Sequence, residues 1–422
     1  MLAPSTCHLS FLPLFRQSDQ RTRCYVFTTS TDTFDTIEPV ARDVAGLTPE
    51  WFTRALEHSG FRGKVTGVQC EPIGIGQMGR SYRVNLTYAD VRPTGPSSLP
   101  TGPSSLATGP SSLATGPSSL PTGPSSLVVK MAGGGLEARQ RVADGYRNEV
   151  MFYSQIAATV DVSTPRCWYC AITDDGTDFT LLLEDLHPAR PGVQVESCSL
   201  NQAEDAVANL AALHAPRWND STLPEMKGLG LADAASAQFV GEIFAKAVDE
   251  FVMRFDALGD EDIHTLHGCA EAISPWLLTR PIPYAVVHGD YRLDNLMFPP
   301  TGRGVSALDW QTVGVAPPGR DLGYFLGTAL RPEDRRGWES DLVSLYFDEL
   351  RQRGVREYSR SDCFDDYRLG QLQGPFITVL GCVYGATAER SQDADEMFIS
   401  MAKRSCAAIR ELESLSLVQY TQ

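Results

Sequence analysis

The stretch VVHGDYRLDNLMF at residues 286–298 combines groups that could carry out acid–base and metal chemistry. Asp290 offers a carboxylate that could accept a proton from an attacking hydroxyl group and orient that group. Asn295 follows it by five residues, and its amide oxygen is a hard ligand of the kind that Mg²⁺ binds. His288 is expected to brace the segment by hydrogen bonding rather than to react. The sequence therefore predicts a catalytic loop that contains His288, Asp290 and Asn295.

A second acidic residue follows this loop at a spacing that suggests a shared metal site. Asp309 lies in VSALDW, and the turn sequence PPTGRG separates it from Asn295. The two residues are symmetric about Gly302, so a hairpin centred there would place them opposite each other. Two oxygen ligands at one point suit Mg²⁺, and we predict Asn295 and Asp309 as its ligands. The alternative is a buried pair of strands with polar ends.

The N-terminal half offers groups that suit a polyphosphate ligand. Gly74, Gly76 and Gly79 form a G-x-G-x-x-G pattern, but a strand follows it, whereas a dinucleotide-binding fold requires a helix there. Lys130 lies in the apolar strand VVKM and needs a partner if it is buried. Glu149, on the next predicted helix, is the obvious partner. The simpler alternatives are a glycine-rich hairpin turn and a lysine that points to solvent from an edge strand.

Together these segments resemble the family of aminoglycoside phosphotransferases and of choline and ecdysteroid kinase-like enzymes. Its members are small-molecule kinases with the protein-kinase fold. HGDYRLDN resembles the catalytic loop of that family, and LDW stands where protein kinases have DFG. The resemblance implies that Asp290 is the catalytic base and that Asn295 and Asp309 bind Mg²⁺. It also implies that Lys130 and Glu149 position the phosphates of the nucleotide.

The resemblance covers roughly residues 45–415, apart from the low-complexity segment at residues 94–127, and it implies a hinge and a two-lobed fold. LLLEDL resembles the hinge, where backbone groups near Glu184 and Leu186 would contact adenine. We expect an α+β, protein-kinase-like fold with a small β-rich N-lobe and a larger, mostly α-helical C-lobe. The N-lobe is predicted to span residues 38–186, and the C-lobe, with the catalytic and substrate sites, residues 187–422.

Two further polar residues are expected to have structural roles. Asp321, in GRDLGYF, is expected to cap a helix or to steady the catalytic loop rather than to bind metal. His214, in LAALHA, falls on a predicted helix and is expected to pack or to form hydrogen bonds.

Residues 94–127 repeat the unit TGPSSL, followed by Pro or Ala, almost five times. A Gly-Pro pair in each unit forbids a continuous helix, and the units are too short for a solenoid. The flanking segments RSYRVNLTY and SLVVKMAG are both typical of strands, so we predict that this low-complexity repeat enlarges a hairpin loop of the N-lobe. Such a lengthening costs only roughly 1.5 kcal/mol. Residues 1–37 show no periodicity, and we predict either a disordered extension or a start site placed too early.

The composition argues against several other classes of protein. A net charge of −16 makes the chain a poor ligand for nucleic acids and anionic membranes. No apolar run approaches the ~20 residues of a transmembrane helix. Ten scattered cysteines favour a reducing cytoplasm over a disulfide framework. We therefore expect a cytoplasmic protein without nucleic-acid partners or membrane insertion, and no protein partner is predictable.

These features predict an ATP- and Mg²⁺-dependent kinase that transfers the γ-phosphate to a hydroxyl group of a small molecule. GTP is not excluded as the donor. No APE sequence ends an activation segment, as it does in protein kinases, and this argues against a protein substrate. The alternative is a catalytically inactive nucleotide-binding or interaction protein that uses the repeat. The sequence identifies neither the acceptor nor the oligomeric state.

Overall fold

The computed structural model describes residues 25–26, 39–74, 79–89, 123–385 and 391–419. Most of the repeat and of the predicted extension lies outside the described residues, and so does Gly76. The described chain has a β-rich first part and a mostly α-helical second part. The predicted α+β class is therefore confirmed.

An antiparallel sheet forms the first part of the chain. Its strands are β1 (Tyr25–Val26), β2 (Val65–Ile73), β3 (Gly79–Tyr88), β4 (Ser126–Ala132), β5 (Cys167–Ile172) and β6 (Phe179–Glu184). They are ordered β1-β5-β6-β4-β3-β2, and neighbouring strands are antiparallel. Apolar residues on one face of the sheet, such as Val84 and Val129, pack against α1 (Pro49–His58). Thr48 caps the first turn of that helix.

Helix α2 (Leu136–Met151) covers the opposite face of the sheet and continues into a π-helical turn at Phe152–Ile156. Tyr146 of this helix packs against Phe179 of β6, with ring centroids 4.4 Å apart. Glu149 follows Tyr146 by three residues and is only 1% exposed. The apolar spacing that favours this helix thus also directs Glu149 towards the sheet.

The second part contains eight helices in the described residues. They are α3 (Leu200–His214), α4 (Ala234–Arg254), α5 (Asp260–Leu278), α6 (Gly319–Ala329), α7 (Pro332–Gln352), α8 (Arg360–Gly370), α9 (Gln373–Tyr384) and α10 (Gln392–Glu411). Short strands lie among them: β7 (Arg190–Pro191), β8 (Ala285–Val287), β9 (Leu296–Phe298), β10 (Ser306–Ala307) and β11 (Gly314–Ala316). β8 pairs with β11, and β9 pairs with β7 and β10. These pairs frame the loop that contains the HGD sequence.

The hairpin predicted around Gly302 forms, but its register differs by one residue from the prediction. The N–H of Leu308 donates to the carbonyl of Asn295 at 2.8 Å, as the pairing of β9 with β10 requires. Asn295 thus lies opposite Leu308, and the prediction that it lies opposite Asp309 is wrong. The turn uses positive φ at both Gly302 (92°) and Gly304 (109°), so its backbone is not centred on one glycine.

The strands on either side of the repeat pair along their length, from Gly79 with Ala132 to Asn85 with Ser126. The repeat therefore connects neighbouring strands of the sheet. Its last unit ends inside β4, where Leu127 is fully buried. The lobe boundaries, with the division after residue 186, stay predictions.

Candidate active site

The loop between β8 and β9 is anchored by the fully buried Asp321 of α6. Its carboxylate accepts hydrogen bonds from the backbone N–H groups of His288 (2.6 Å) and Gly289 (2.9 Å). The His214 ring lies 3.3 Å from the same carboxylate. From the other side, Gln373 Nε2 donates to the carbonyl of Gly289 at 3.0 Å. The expected structural roles of Asp321 and His214 are thereby confirmed.

Asp290 is held in one orientation by its neighbours. Tyr324 donates its hydroxyl hydrogen to Oδ1 at 2.7 Å, and Asn295 Nδ2 donates to Oδ2 at 3.1 Å. Arg292 Nε lies 3.3 Å from Oδ2, and the Asp290 side chain is 21% exposed. A carboxylate that is both oriented and accessible meets the requirement for a base that receives a proton from a bound hydroxyl group.

His288 connects the loop to the segment before Asp309. The backbone N–H of Asp290 donates to His288 Nδ1 at 3.3 Å, so the ring proton lies on Nε2. Nε2 then donates to the carbonyl of Leu308 at 2.9 Å. Both ring contacts are with backbone atoms, as expected for a bracing residue.

Lys130 Nζ lies between two carboxylates and donates to Glu149 Oε1 at 2.8 Å and to Asp309 Oδ1 at 3.0 Å. Side chains alternate along β4, so Lys130 shares the face of Val128 and Ala132 that packs against α2. Burial alone would lower the pKa of Lys130, but the carboxylates of Asp309 and Glu149 outweigh it and raise that pKa. Lys130 therefore stays charged at neutral pH.

The same lysine has different effects on the two acids. Burial raises the pKa of Glu149, and the charge of Lys130 offsets this only in part. Burial also acts to raise the pKa of Asp309, but Lys130 outweighs it and lowers that pKa. Asp309 is 40% exposed and has left-handed backbone angles (φ 63°, ψ 72°). Such strain in a non-glycine residue is frequent at functional sites.

Asn295 and Asp309 together form a donor set that fits Mg²⁺. The amide nitrogen of Asn295 is engaged by Asp290, which leaves the amide oxygen as the atom that could bind a metal. One carboxylate oxygen of Asp309 contacts Lys130, which leaves the other. Among the described residues, no group of three or more His, Cys, Asp and Glu side chains could hold a metal. Phosphate oxygens and water would complete the coordination, as is usual for Mg²⁺.

Both described glycines of the G-x-G-x-x-G pattern line the same cleft as Lys130, and Gly79 lies next to it. Gly74 follows β2 with φ 71°, a conformation that side chains disfavour. Gly79 begins β3, where an added Cβ would lie 3.1 Å from the carbonyl of Met131 and 3.5 Å from Lys130 Cε. Gly76 lies outside the described residues.

The predicted hinge begins at the last residue of β6, and its residues Glu184 and Leu186 line the same cleft as Lys130. Asp185 fixes the hinge to the sheet, since it accepts hydrogen bonds from Arg83 (2.8 Å) and Ser126 (2.5 Å). Burial acts to raise the pKa of Asp185, but these two partners lower it on balance. The hinge is therefore tied to β3 and to the beginning of β4.

One cleft of about 1040 Å³ between the sheet and the helices collects these groups. Among the predicted site residues, the cleft is lined by Gly74, Gly79, Lys130, Glu149, Glu184, Leu186, Asp290, Asn295 and Asp309. His288 does not line it and lies behind the loop. The structure thus brings together residues that are separated by more than 230 positions in the sequence.

Sequence reasoning missed Tyr324 and Gln373, which contact the loop that contains Asp290. A signal for Tyr324 existed, because it follows Asp321 by three residues on α6 and therefore shares its helix face. Since Asp321 was expected to steady the loop, a residue on that face could reach it too. Gln373 has no such signal, because it lies 84 positions from Gly289.

Comparison with known protein families decides which class of protein this cleft belongs to. A model of the phosphotransferase enzyme family matches residues 121–368, which is more than half of the chain. The chain belongs to this family. By this family membership the chain is a phosphotransferase. The resemblance inferred from the sequence is confirmed by this match.

Several solved structures resemble the phosphotransferase over most of its length. A choline kinase from Cryptosporidium parvum Iowa II aligns with a TM-score of 0.49 and 10% identity, covering 83% of this chain and 91% of that one. The GDP complex of aminoglycoside 2'-phosphotransferase-IIIa aligns with a TM-score of 0.48 and 13% identity, covering 81% and 93%. The family assignment rests on the family model and not on these likenesses.

A curated relative matches a short segment only. Acyl-CoA dehydrogenase family member 11 of Gallus gallus is 31% identical over 80 residues, which is 19% of this chain and 10% of that protein. The phosphotransferase thus matches about a tenth of the length of that relative.

Two further properties of the described residues concern their helices and their cysteines. None of the helices there combines the length and the apolar character of a membrane span. The eight cysteines in the described part of the chain are all free thiols.

Proposed function

We propose that the protein transfers the γ-phosphoryl group of ATP, with Mg²⁺, to a hydroxyl group of a small molecule. One observation carries this proposal: Lys130 Nζ contacts both Glu149 and Asp309 in the cleft that also contains the oriented carboxylate of Asp290. A charged amine that is fixed next to two acids suits a polyphosphate with its metal ion. Free thiols in the described residues support the proposed cytoplasmic location.

Asp290 is the proposed catalytic base. The acceptor hydroxyl group gives its proton to the Asp290 carboxylate while its oxygen forms a bond to the γ-phosphorus. The bond between that phosphorus and the bridging oxygen of the β-phosphate breaks, so the products are ADP and a phosphate ester. Tyr324 and Asn295 hold the carboxylate in place through their hydrogen bonds. His288 braces the loop.

The nucleotide is proposed to bind along the sheet side of the cleft. Lys130, positioned by Glu149, would contact the α- and β-phosphates, and backbone N–H groups near Gly74, Gly76 and Gly79 would cover them. Adenine would contact the backbone near Glu184 and Leu186. Asn295 and Asp309 would hold Mg²⁺, which neutralises charge on the phosphates when it is bound.

Calorimetric titration with ATP and with GTP, each with and without Mg²⁺, tests this proposal. We expect nucleotide binding that requires Mg²⁺ and that weakens at least tenfold in Asp309→Ala, because a metal ligand is lost. Asp290→Asn should bind nucleotide normally but lose transfer by about 10²–10⁴-fold. Lack of binding of both nucleotides by folded protein would refute the proposal and would favour the inactive alternative.

A further inference from the structure

The cleft continues beyond Asp290 into a region that is walled by helices of the second part. Gln373, the first residue of α9, contacts the catalytic loop through the carbonyl of Gly289. Phe376 and Leu380 follow at successive turns on the same face of α9 and also line the cleft. This face of α9 therefore leads from the site of phosphoryl transfer along the acceptor side of the cleft.

The walls of this acceptor side are apolar. They include Val240, Leu277, Phe376, Leu380, Met397 and Phe398. Met397 Sδ lies 2.9 Å from Arg292 Nη1, so the wall formed by α10 begins next to the catalytic loop. Phe376 and Met397 are the partly exposed members of this set, so an apolar chain bound here would remove their surfaces from water at roughly 25 cal/mol per Å². A methionine in the wall can adapt its shape to such a chain.

Arg320 supplies a cation at the edge of this apolar surface. Its guanidinium carbon lies 4.1 Å from the ring centroid of Trp276, and its Nη2 donates to the carbonyl of Leu277 at 3.1 Å. Trp276 also packs against Phe376, with ring centroids 6.0 Å apart. Arg320 precedes Tyr324 by four residues on α6, so both side chains emerge on the face that meets the catalytic carboxylate.

Arg320 forms no ion pair with any carboxylate in the described part of the chain. Asp321, which acts on it electrostatically, is engaged by backbone N–H groups of the catalytic loop. Burial lowers the pKa of Arg320 to about 10, and Asp321 offsets this only in part. The guanidinium is still charged at neutral pH, and a bound anion would compensate for its burial. The other cation here, Arg292, already pairs with Asp290 and Asp294.

We propose that the acceptor of this phosphotransferase is a hydroxylated carboxylic acid with an apolar chain. Its carboxylate binds the guanidinium of Arg320, its hydroxyl group lies at Asp290, and its chain extends along α9 and α10. Planar guanidinium and carboxylate groups match in geometry and can form two parallel hydrogen bonds. This inference rests on the proposed function, because it names the acceptor of the same transfer.

A cationic acceptor would find no comparable partner on this side of the cleft. Asp290 accepts hydrogen bonds from Tyr324 and Asn295, and Asp294 accepts one from the backbone of Gln194. Asp393, in the first turn of α10, is exposed. Asp393 also lines the cleft, but water screens an exposed carboxylate, so it would attract a cation less strongly than Arg320 attracts an anion.

Binding of a non-reactive ligand tests the carboxylate site without turnover. Decanoate and decanamide share a chain and differ in charge. By calorimetry we expect decanoate to bind at least tenfold more tightly than decanamide to the wild-type protein, and Arg320→Gln to remove this preference. Arg320→Lys should retain part of it. Arg360→Gln is the matched control, since Arg360 also stacks on a ring (4.8 Å from Phe347) but does not line the cleft.

Turnover then tests the acceptor class. A set of hydroxydecanoates that differ in the position of the hydroxyl group would be compared with their amides, with 3-hydroxybutyrate, and with choline and gentamicin as cations. We expect the best hydroxydecanoate to be phosphorylated with the highest kcat/KM. Arg320→Gln should raise its KM about ten- to hundredfold with a smaller change in kcat, and it should leave the KM of the amide and the affinity for ATP unchanged.

The outcomes separate this inference from the proposed function. If ATP binds and the cations are the better acceptors, or if decanoate and decanamide bind equally, the acceptor class is wrong while the kinase remains. Weaker ATP binding in Arg320→Gln would assign Arg320 to the nucleotide and would also overturn the inference. If ATP does not bind at all, the proposed function itself fails. The comparison of decanoate with decanamide needs no variant, so a variant that fails to fold does not block the test.

Discussion

At the scale of single residues, the carboxylate of Asp290, the proposed base, depends on partners from two different segments. Asn295 belongs to the same loop as Asp290 and reaches it because the loop closes in a 3₁₀ turn at Leu293–Asn295. Tyr324 comes from α6 and is fully buried. Its hydroxyl group donates a hydrogen bond to the Asp290 carboxylate. This hydrogen bond therefore belongs both to the buried interior of the protein and to the candidate site.

Replacing this tyrosine by phenylalanine should separate positioning from stability. Tyr324→Phe removes one hydrogen bond to a charged group, which contributes about 1.5–3 kcal/mol. We expect kcat to fall by about ten- to hundredfold, since Asp290 can then rotate, while the affinity for nucleotide is unchanged. Steady-state kinetics and calorimetry would measure the two effects.

Tyr367→Phe provides the control for this prediction. Tyr367 is also fully buried, and it donates to the Glu339 carboxylate at the same distance of 2.7 Å. The variant should lose similar stability, measured as the free energy of unfolding, but keep its kcat. Equal loss of kcat in both variants would mean that Tyr324 acts only through the stability of the fold.

Asp366 should make stability depend on pH in the acidic range. Burial raises its pKa from 3.8 to about 6, and Tyr358 and Arg280 lower it only in part. The unfolded chain releases this proton near pH 4, whereas the folded protein holds it until about pH 6. The folded state thus binds more protons in this interval, so the free energy of unfolding contributed by Asp366 falls as the pH rises. The decrease should amount to about 3 kcal/mol.

Urea denaturation at pH 4.5, 5.5 and 7 would measure this decrease against Asp366→Asn, which cannot ionise. Other groups titrate equally in both proteins, so the difference between them isolates Asp366. The wild-type protein should lose stability relative to the variant as the pH rises to about 6, with no further relative change above that pH. Parallel curves would show that Asp366 is ionised throughout.

At the scale of elements, α6 is the helix on which the site depends most. It carries Asp321, which binds the loop, Tyr324, which binds the proposed base, and Arg320, the proposed anion partner. Its opposite face packs against α8 at a very close distance. An added Cβ on Gly370 would lie 1.9 Å from the carbonyl of Gly319, and one on Gly323 would lie 2.4 Å from Gly370. The glycines therefore permit the contact that fixes α6.

Gly370→Ala should push α6 away from α8 and damage activity as well as stability. We expect a loss of about 1–3 kcal/mol in the free energy of unfolding, because extra volume is forced into a packed interface. A small displacement of Asp321 and Tyr324 should also lower kcat by about tenfold or more. Gly337→Ala is the control, since an added Cβ there meets nothing within 4 Å. It should stabilise α7 by about 0.5–1 kcal/mol. Unchanged kcat in a folded Gly370→Ala protein would contradict this role of α6.

Some of these features could be predicted from the sequence, and others could not. The Asp-to-Asn spacing and the alternation around Lys130 are local patterns, and they were sufficient to predict the site residues that the structure brings into one cleft. The predicted register of the hairpin after Asn295 was wrong, because the register depends on the geometry of the turn and not on symmetry about a glycine. The role of α6 as a scaffold depends on contacts with α8, about 50 residues later, and no local pattern encodes such contacts.

At the scale of the whole molecule, the last unit of the repeat belongs to the sheet. Ser126 donates to Asp185 in the predicted hinge, and Leu127 is fully buried against the residues that pack on α1. The carbonyl of Ser125 accepts a hydrogen bond from the N–H of Leu86. The unit TGPSSL at residues 122–127 therefore has structural contacts that its copies in residues 94–121 are not predicted to share.

Deleting residues 94–121, the first four units, should leave the protein folded and able to bind nucleotide. The remaining unit still connects β3 to β4, and shortening the connection from about 37 to about 9 residues should raise the free energy of unfolding by roughly 1 kcal/mol through loop entropy. Denaturation and calorimetry with ATP would measure both properties. Loss of nucleotide binding in the shortened protein would show instead that the repeat takes part in function.

Two leucines at equivalent positions of the repeat provide a sharper test of whether only the last unit belongs to the core of the sheet. Leu127→Ala removes a fully buried side chain from the core of the sheet, so it should cost about 2–5 kcal/mol of stability. Leu120→Ala changes the same position of the preceding unit, which is predicted to lie in the loop, and it should change stability by less than about 0.5 kcal/mol. Because the two leucines share the local sequence PSSL, a difference between the variants can come only from their place in the fold. Equal destabilisation would mean that the preceding units pack against the protein as well, and the repeat would then have to be treated as part of the domain.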